Sequence, residues 1–282
     1  MLVFKTKKEL QNHLLSIKAN ESSIGMVPTM GALHRGHISL VKKSVSENNI
    51  TIVSIFVNPT QFDNSDDLKK YPNTLKEDIV LLEQVSSAII IFSPSALDIY
   101  NGNIISKSYN FEGLDKVMEG EFRADHFNGV GTIVETLLTL VMPKNAYFGE
   151  KDYQQLAIIK KLVSTQKIPI NIIGCSIVRE PHGLAMSSRN ERLSPNLRKE
   201  AAFIYKTLLT AKEKFGTKSA LKTLDWVKSE FENKNDFTLE YVQIANAETL
   251  KPVHRKQKNI KYRIFIAVYA NDVRLIDNIP LN

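Results

Sequence analysis

An open parallel β-sheet wound with helices on both faces, hence an α/β fold, followed by a smaller α+β domain, is the architecture this sequence predicts. Three observations carry the prediction. Apolar runs rich in β-branched residues alternate with amphipathic segments through residues 24–173, the order expected of successive βαβ units. The run at 50–57 is apolar at nearly every position rather than at alternate ones, as a strand buried on both faces requires. After Cys175 the texture changes to two helix-patterned segments and then three strand-like runs. The expected division is therefore 1–175 for the first domain and 176–282 for the second.

Taken in order, residues 24–27 form a short apolar run that Pro28, lacking a backbone N–H, is expected to stop, and Thr29, Met30 and Gly31 then have loop composition. From His37 onward Ile38, Val41 and Val45 recur at helical spacing beside Lys42, Lys43 and Glu47. The strand at 50–57 closes this βαβ unit. A charged helical segment follows at 75–84, then a strand at 88–92, a helix at 132–140, and strands at 146–148 and 170–173. That alternation is Rossmann-like, a doubly wound sheet. In the second half Ala201, Ile204 and Leu208 mark one helix, and Leu221, Leu224 and Phe231 another. Strands are expected at 238–245, 263–270 and 272–279, with Asn271-Asp272 as a hairpin turn. No internal repeat or low-complexity tract is present, which excludes solenoid and disordered classes.

Composition is that of a folded globule, with 43% hydrophobic and 24% charged residues. The longest apolar runs fall far short of the roughly 18 residues a membrane span needs. Lys5, Lys7, Lys8 and Glu9 break up the first ten residues, so no uninterrupted apolar leader stands there, and a cytoplasmic location is expected. The single cysteine, Cys175, lies in an apolar context and reads as a buried structural thiol. The net charge of +7 favours anionic partners, either phosphate-bearing small molecules or nucleic acid. The densest basic run, 251–263, falls between two strands and reads as a solvated loop.

Four constellations carry chemistry. The first runs from Pro28 through Thr29, Met30, Gly31, Ala32, Leu33, His34, Arg35 and Gly36 to His37, between the first strand of the unit and its helix. A helix start offers unpaired N–H groups and the positive end of a dipole to phosphate. His34 and His37 share one face of a first turn and can donate to one phosphate group, while Gly31 and Gly36 permit close approach. Zinc is the competing reading of a His pair, but no third ligand is evident nearby. Ordinary surface histidines are another.

The second runs from Phe148 to Gln155, again at a strand-to-helix junction. Lys151 can neutralise phosphate charge, and Asp152 can cap the helix, or hold Mg²⁺ or a ribose hydroxyl. A charged helix start without a ligand is the alternative. The third runs from Gly183 to Asn190, where Ser187, Ser188 and Arg189 suit a phosphate, although Ser-Ser-Arg loops are usually plain surface. The fourth is Phe56-Val57-Asn58-Pro59-Thr60-Gln61-Phe62, in which Gln61 beside Phe62 suits a small polar acid or amine better than a base; a plain Asn-Pro turn competes.

These motifs, in this order and joined by His126-Phe127-x-Gly129-Val130, closely resemble the pantothenate synthetase (pantoate-β-alanine ligase) family over nearly the whole chain. The resemblance implies a ligase joining pantoate to β-alanine, with ATP cleaved to AMP and pyrophosphate by way of a pantoyl adenylate and with Mg²⁺ accompanying the ATP. It implies ATP contacts at Met30, Gly31, His34, His37, Gly149, Glu150, Lys151, Asp152, Val178, Met186, Ser187, Ser188 and Arg189. Pantoate would lie between Gln61 and Gln155, with Gln61 also near β-alanine. It further implies a cytoplasmic homodimer, with residues 176–282 acting as a lid.

On the mechanism, charge developing at the α-phosphorus would be met by the catalytic set His34, His37, Lys151 and Arg189. No nucleophilic Ser or Cys arrangement is evident, which suits a route without a covalent enzyme intermediate. Asp63 and Asn73 depart from the family pattern, where glycine and arginine are common, and both fall in a polar loop near the site. An adenylyltransferase passing AMP to a phosphate acceptor is the nearest rival, since such enzymes share the His-x-Gly-His helix start. An RNA-binding protein is a rival from another class, disfavoured because aromatic and basic residues are not interleaved as base stacking requires.

Overall fold

The computed structural model describes residues 1–18, 22–63, 65–253 and 255–282, with the backbone alone of Lys18. Residue contacts divide the chain into two compact units. The first holds Met1–Asp115, Glu119–Glu150 and Gln155–Ser176, and the second Lys116–Met118, Lys151–Gln154 and Ile177–Asn282.

In the first unit the elements are β1 (Leu2–Phe4), α1 (Lys7–Lys18), β2 (Ile24–Thr29), α2 (Arg35–Glu47), β3 (Ile50–Ile55), α3 (Ser65–Lys70) and α4 (Leu75–Glu83). Then come β4 (Ile90–Phe92), α5 (Ala96–Ile99), α6 (Glu119–Phe122), α7 (His126–Val141), β5 (Asn145–Gly149), α8 (Tyr153–Thr165) and β6 (Asn171–Cys175). The six strands are ordered β1-β4-β3-β2-β5-β6 and every recorded pairing is parallel.

Adjacent strand residues face opposite layers, as the period of two demands. Met26, Ile52, Ile90 and Ala146 join a core with Leu10 and Leu14 of α1, Val134 of α7 and Leu156 of α8. Their neighbours Val27, Val53, Ile91 and Tyr147 join a second core with Leu40 and Val41 of α2 and Leu82 of α4. Helices on both faces thus give the doubly wound α/β fold read from the sequence. Complete burial of a side chain such as Ile52 or Leu82 contributes about 2 kcal/mol relative to exposure.

Several elements differ from the sequence expectation: α7 starts at His126 rather than at 132, β3 ends at Ile55 rather than at 57, and β1, α1, α3, α5 and α6 are not among the elements expected. β2 continues through Pro28 to Thr29, because pairing to β5 covers only Gly25 and Met26, so the missing N–H of Pro28 falls where that neighbour has ended. α2 starts at Arg35 rather than His37, because His34 supplies the cap. The periodicity of Leu10, Leu14 and Ile17 builds α1, which the lysine-rich composition of this segment disguises.

The second unit contains α9 (Pro195–Glu200), α10 (Ala202–Thr217), α11 (Ala220–Glu232), β7 (Phe237–Asn246), β8 (Tyr262–Ala270) and β9 (Val273–Pro280). The last three pair antiparallel in the order β7-β8-β9, and Asn271, with φ of 51°, turns the β8–β9 hairpin as anticipated. Ile204, Leu208, Val227 and Phe231 pack with Ile264, Ile266 and Val268 in a separate core. Of the basic run 251–263, the stretch before Tyr262 is mostly exposed, whereas Arg263 belongs to β8 and is buried; His254 lies outside the described residues.

Candidate active site

Successive strands run outward from β2 through β3 to β4, and the chain then returns to place β5 on the other side of β2. That reversal is a topological switch point, where the carboxyl ends of neighbouring strands open a crevice for ligands. The segment 30–37 leaves β2 there, and Gly149 and Glu150 stand at the end of β5.

His34 caps α2 with extended backbone angles, and its Nδ1 accepts from the Gly36 N–H at 3.1 Å. His37 Nδ1 in turn accepts from the His34 N–H at 3.4 Å, which makes a reciprocal capping box from two imidazoles. The rings lie with centroids 4.1 Å apart and planes tilted by 31°. Because both Nδ1 lone pairs accept from backbone donors, the neutral rings carry their protons on Nε2, and an Nε2–H is a group of the kind that donates to phosphate oxygen. No acidic residue occupies the first turn, so the positive end of the helix dipole is not neutralised from within α2.

The loop before this cap is held by a residue the motif reading missed. Asp78 of α4, 1% exposed, accepts from the Ala32 N–H through Oδ2 at 3.0 Å and from the Leu33 N–H through Oδ1 at 2.7 Å, with Thr74 Oγ1 at 3.3 Å. Burial pushes its carboxyl above the ordinary aspartate value, against the pull of those donors. Gly31 sits at φ of 82°, and a Cβ there would come within 3.1 Å of Asp78 Oδ2. The loop therefore needs glycine at that point.

Gln61 ends a short 3₁₀ turn, Pro59–Gln61, and its Nε2 donates to Met30 Sδ at 3.0 Å. Two of the predicted site residues are thereby brought into contact. The Gln61 carbonyl accepts from His126 Nδ1 at 2.7 Å and from Arg123 at 3.3 Å. Gly129 explains the rest of the His-Phe-x-Gly motif: a Cβ there would lie 2.2 Å from the Thr60 carbonyl oxygen, so α7 can approach the turn this closely only without a side chain. Asp63, one of the departures noted above, lies 3.9 Å from Arg123 Nε. Gln155, the other residue expected at pantoate, is half-buried in the first turn of α8.

In the second unit Lys151 Nζ lies 3.6 Å from Asp152 Oδ1, and the Lys151 carbonyl accepts from Asn278 Nδ2 at 2.8 Å. The segment carrying Val178 and Met186 folds back on itself, with the Met186 N–H donating to the Val178 carbonyl at 3.0 Å. Arg179 fixes this hairpin by a bidentate pair with Asp277 at 2.6 and 2.9 Å, and its guanidinium lies 3.7 Å from the centre of the Tyr205 ring. Ser187 caps the turn Ser188–Arg192 by accepting from the Arg189 N–H at 3.3 Å. Ser188 is buried, and Arg189 is half-buried. Among the described residues no group of three or more His, Cys, Asp or Glu is arranged to hold a metal ion, and no helix is long and apolar enough to cross a membrane.

A family model described as pantoate-beta-alanine ligase matches residues 2–280. The chain belongs to this family. A pantothenate synthetase from Christiangramia forsetii is 55% identical over 282 residues, covering all of both chains. A pantothenate synthetase crystal structure from Thermus thermophilus, 36% identical, superposes with a TM-score of 0.91 and covers 100% of this chain and 99% of its own. The pantoate-beta-alanine ligase from Francisella tularensis, solved with β,γ-ATP and β-alanine, is 39% identical with a TM-score of 0.84, covering 100% and 98%. Family and fold together make the chain an enzyme of the pantoate-beta-alanine ligase class, with the six-stranded parallel sheet and small antiparallel sheet of its relatives.

Proposed function

We propose that the chain condenses pantoate with β-alanine in two steps, with His34, His37, Lys151 and Arg189 as the groups that stabilise the first. The pantoate carboxylate attacks the α-phosphorus of ATP, pyrophosphate leaves, and the neutral amine of β-alanine then attacks the acyl carbon and releases AMP. The observation that carries this reading is the reciprocal imidazole cap of α2 at the switch point of the sheet, which fixes two imidazoles, each with its proton on Nε2 in the neutral ring, at one helix start.

The remaining assignments follow the family resemblance. Met30, Gly31, Gly149, Glu150, Asp152, Val178, Met186, Ser187 and Ser188 complete the ATP contacts, and Gln61 and Gln155 hold pantoate. Residues 1–175 form the nucleotide- and pantoate-binding domain, and 176–282, which add the contacts of Val178, Met186, Ser187, Ser188 and Arg189, are assigned the part of the lid. Mg²⁺ prefers oxygen ligands and keeps several of its own waters, so it suits the triphosphate itself, with half-exposed Asp152 able to accept from a coordinated water. The ion would neutralise phosphate charge. A cytoplasmic homodimer completes the proposal, to be checked by sedimentation.

Pyrophosphate exchange into ATP tests the first step. Exchange is expected with pantoate in the absence of β-alanine, and none without pantoate. Exchange independent of pantoate, or AMP recovered in a dinucleotide, refutes the reading.

A further inference from the structure

Gln61 does not choose the orientation of its own amide. Asn58, 1% exposed, donates through Nδ2 to Gln61 Oε1 at 3.2 Å and to the Gly129 carbonyl at 3.2 Å. A carbonyl can only accept, so Nδ2 must face Gly129, and Oδ1 must face the other way. There Oδ1 meets the phenol of Tyr100, which donates to it at 2.5 Å, and Thr60 Oγ1 at 3.2 Å. Thr60 and Tyr100 are themselves joined at 2.7 Å. Tyr100 is 9% exposed and follows α5, remote in sequence from every motif discussed above.

The polarity of this chain runs one way: phenol to Asn58 Oδ1, Asn58 Nδ2 to Gln61 Oε1. Its end is that Gln61 has its oxygen engaged and its NH₂ presented, one hydrogen on the thioether of Met30, a weak acceptor, and one remaining. We infer that Tyr100 is a positioning residue for the acid substrate, acting through Asn58 to keep Gln61 a hydrogen-bond donor toward an oxygen of that acid. The inference rests on the reading of Gln61 as an acid-binding residue. It adds a direction to that contact: Gln61 donates and the substrate oxygen accepts. It also assigns a task to a buried hydroxyl whose loss would leave Asn58 Oδ1 with Thr60 alone.

A double-mutant cycle of Tyr100→Phe and Gln61→Ala tests it, with KM for pantoate and for ATP measured separately in the complete reaction. Tyr100→Phe is expected to raise the pantoate KM about tenfold, the cost of one poorly satisfied buried acceptor, while the ATP KM moves less than about twofold. In the Gln61→Ala background the same substitution should add nothing. A general loosening of the fold would instead raise both KM values and act equally in both backgrounds, which overturns the inference. So does a Tyr100→Phe enzyme indistinguishable from wild type beside a Gln61→Ala enzyme with a raised pantoate KM. If Gln61→Ala itself leaves the pantoate KM unchanged, the acid-binding reading of Gln61 fails first, and this inference falls with it. Should Tyr100→Phe not fold, Thr60→Val removes the second hydroxyl at nearly constant shape and is put through the same cycle with the same criteria.

Discussion

The start of α2 and the turn Ser188–Arg192 both open on a side-chain cap, yet they divide labour differently. At α2 the capping groups are the imidazoles of His34 and His37, the same groups assigned to phosphate. At Ser188–Arg192 the cap is the Ser187 hydroxyl, and the turn is held from outside. Asn190 donates to Glu180 Oε1 at 2.9 Å and to the Ala185 carbonyl at 3.0 Å, and Arg198 Nε lies 3.0 Å from both Glu180 oxygens. One region therefore fuses scaffold and chemistry throughout, and the other, Ser187 apart, separates them, since Asn190, Glu180 and Arg198 are not assigned to ATP. In the fused region a single substitution disturbs both. In the separated region a scaffold residue not assigned to ATP, such as Asn190, can be altered while the cation of Arg189 is kept.

The largest effect should come from the fused region. His37→Ala removes a donor and half the capping box, and adenylate formation, measured by pyrophosphate exchange, should fall on the order of 10²–10³-fold. His37→Gln sharpens the comparison, because glutamine is favoured at this third helical position and can accept from the His34 N–H. It should restore the thermal midpoint lost in His37→Ala while leaving exchange as low. Recovery of activity along with stability would mean that capping, not phosphate stabilisation, is what His37 does.

Next comes the separated region. Asn190→Ala removes one buried and one partly buried hydrogen bond and should lower stability by about 1–3 kcal/mol, read by denaturant unfolding. With Arg189 intact, its kinetic signature should be a raised KM for ATP of roughly tenfold with kcat nearly preserved. A loss confined to kcat would show that Asn190 takes part in the transition state, and the contrast between the regions would disappear.

What the sequence discloses follows the same line. Motifs that are contiguous, such as 28–37 and 183–190, were legible because strand, turn and helix start are encoded locally. The parallel sheet was legible because β-branched runs alternate with helical periodicity. What supports these motifs was not. Asp78 lies 46 residues from Ala32, and Tyr100 lies 42 from Asn58. Each is an unremarked polar residue in an ordinary helical or loop segment, and only tertiary packing turns it into a partner. The helix start was misplaced by two residues for a related reason: histidine is not among the usual N-cap residues, so its capping role shows only once the ring nitrogen is seen on the Gly36 N–H. Gly129 was noticed as part of a motif, but its reason, the Thr60 carbonyl against α7, is again a contact across the fold.

The smallest expected effect concerns Asp78, which supports the fused region from α4 and is the counterpart of Glu180. Burial raises its carboxyl above the unfolded value, so the folded chain takes up a proton at a pH where the unfolded chain has already released it. Its contribution is therefore fully present below the unfolded value and is lost as pH rises through the folded one. Asp78→Asn removes that titration, and it also sets an amide NH₂ against either the Ala32 or the Leu33 N–H, since each now faces a different oxygen. The variant should thus show a shallower decline of thermal midpoint with rising pH on the acid side than wild type. At neutral pH its loss should appear mainly as a weaker hold on ATP, because the loop it releases leads directly into the His34 cap. An identical pH slope in the two proteins would mean that the carboxylate is stabilised by its backbone donors as fully as it is destabilised by burial.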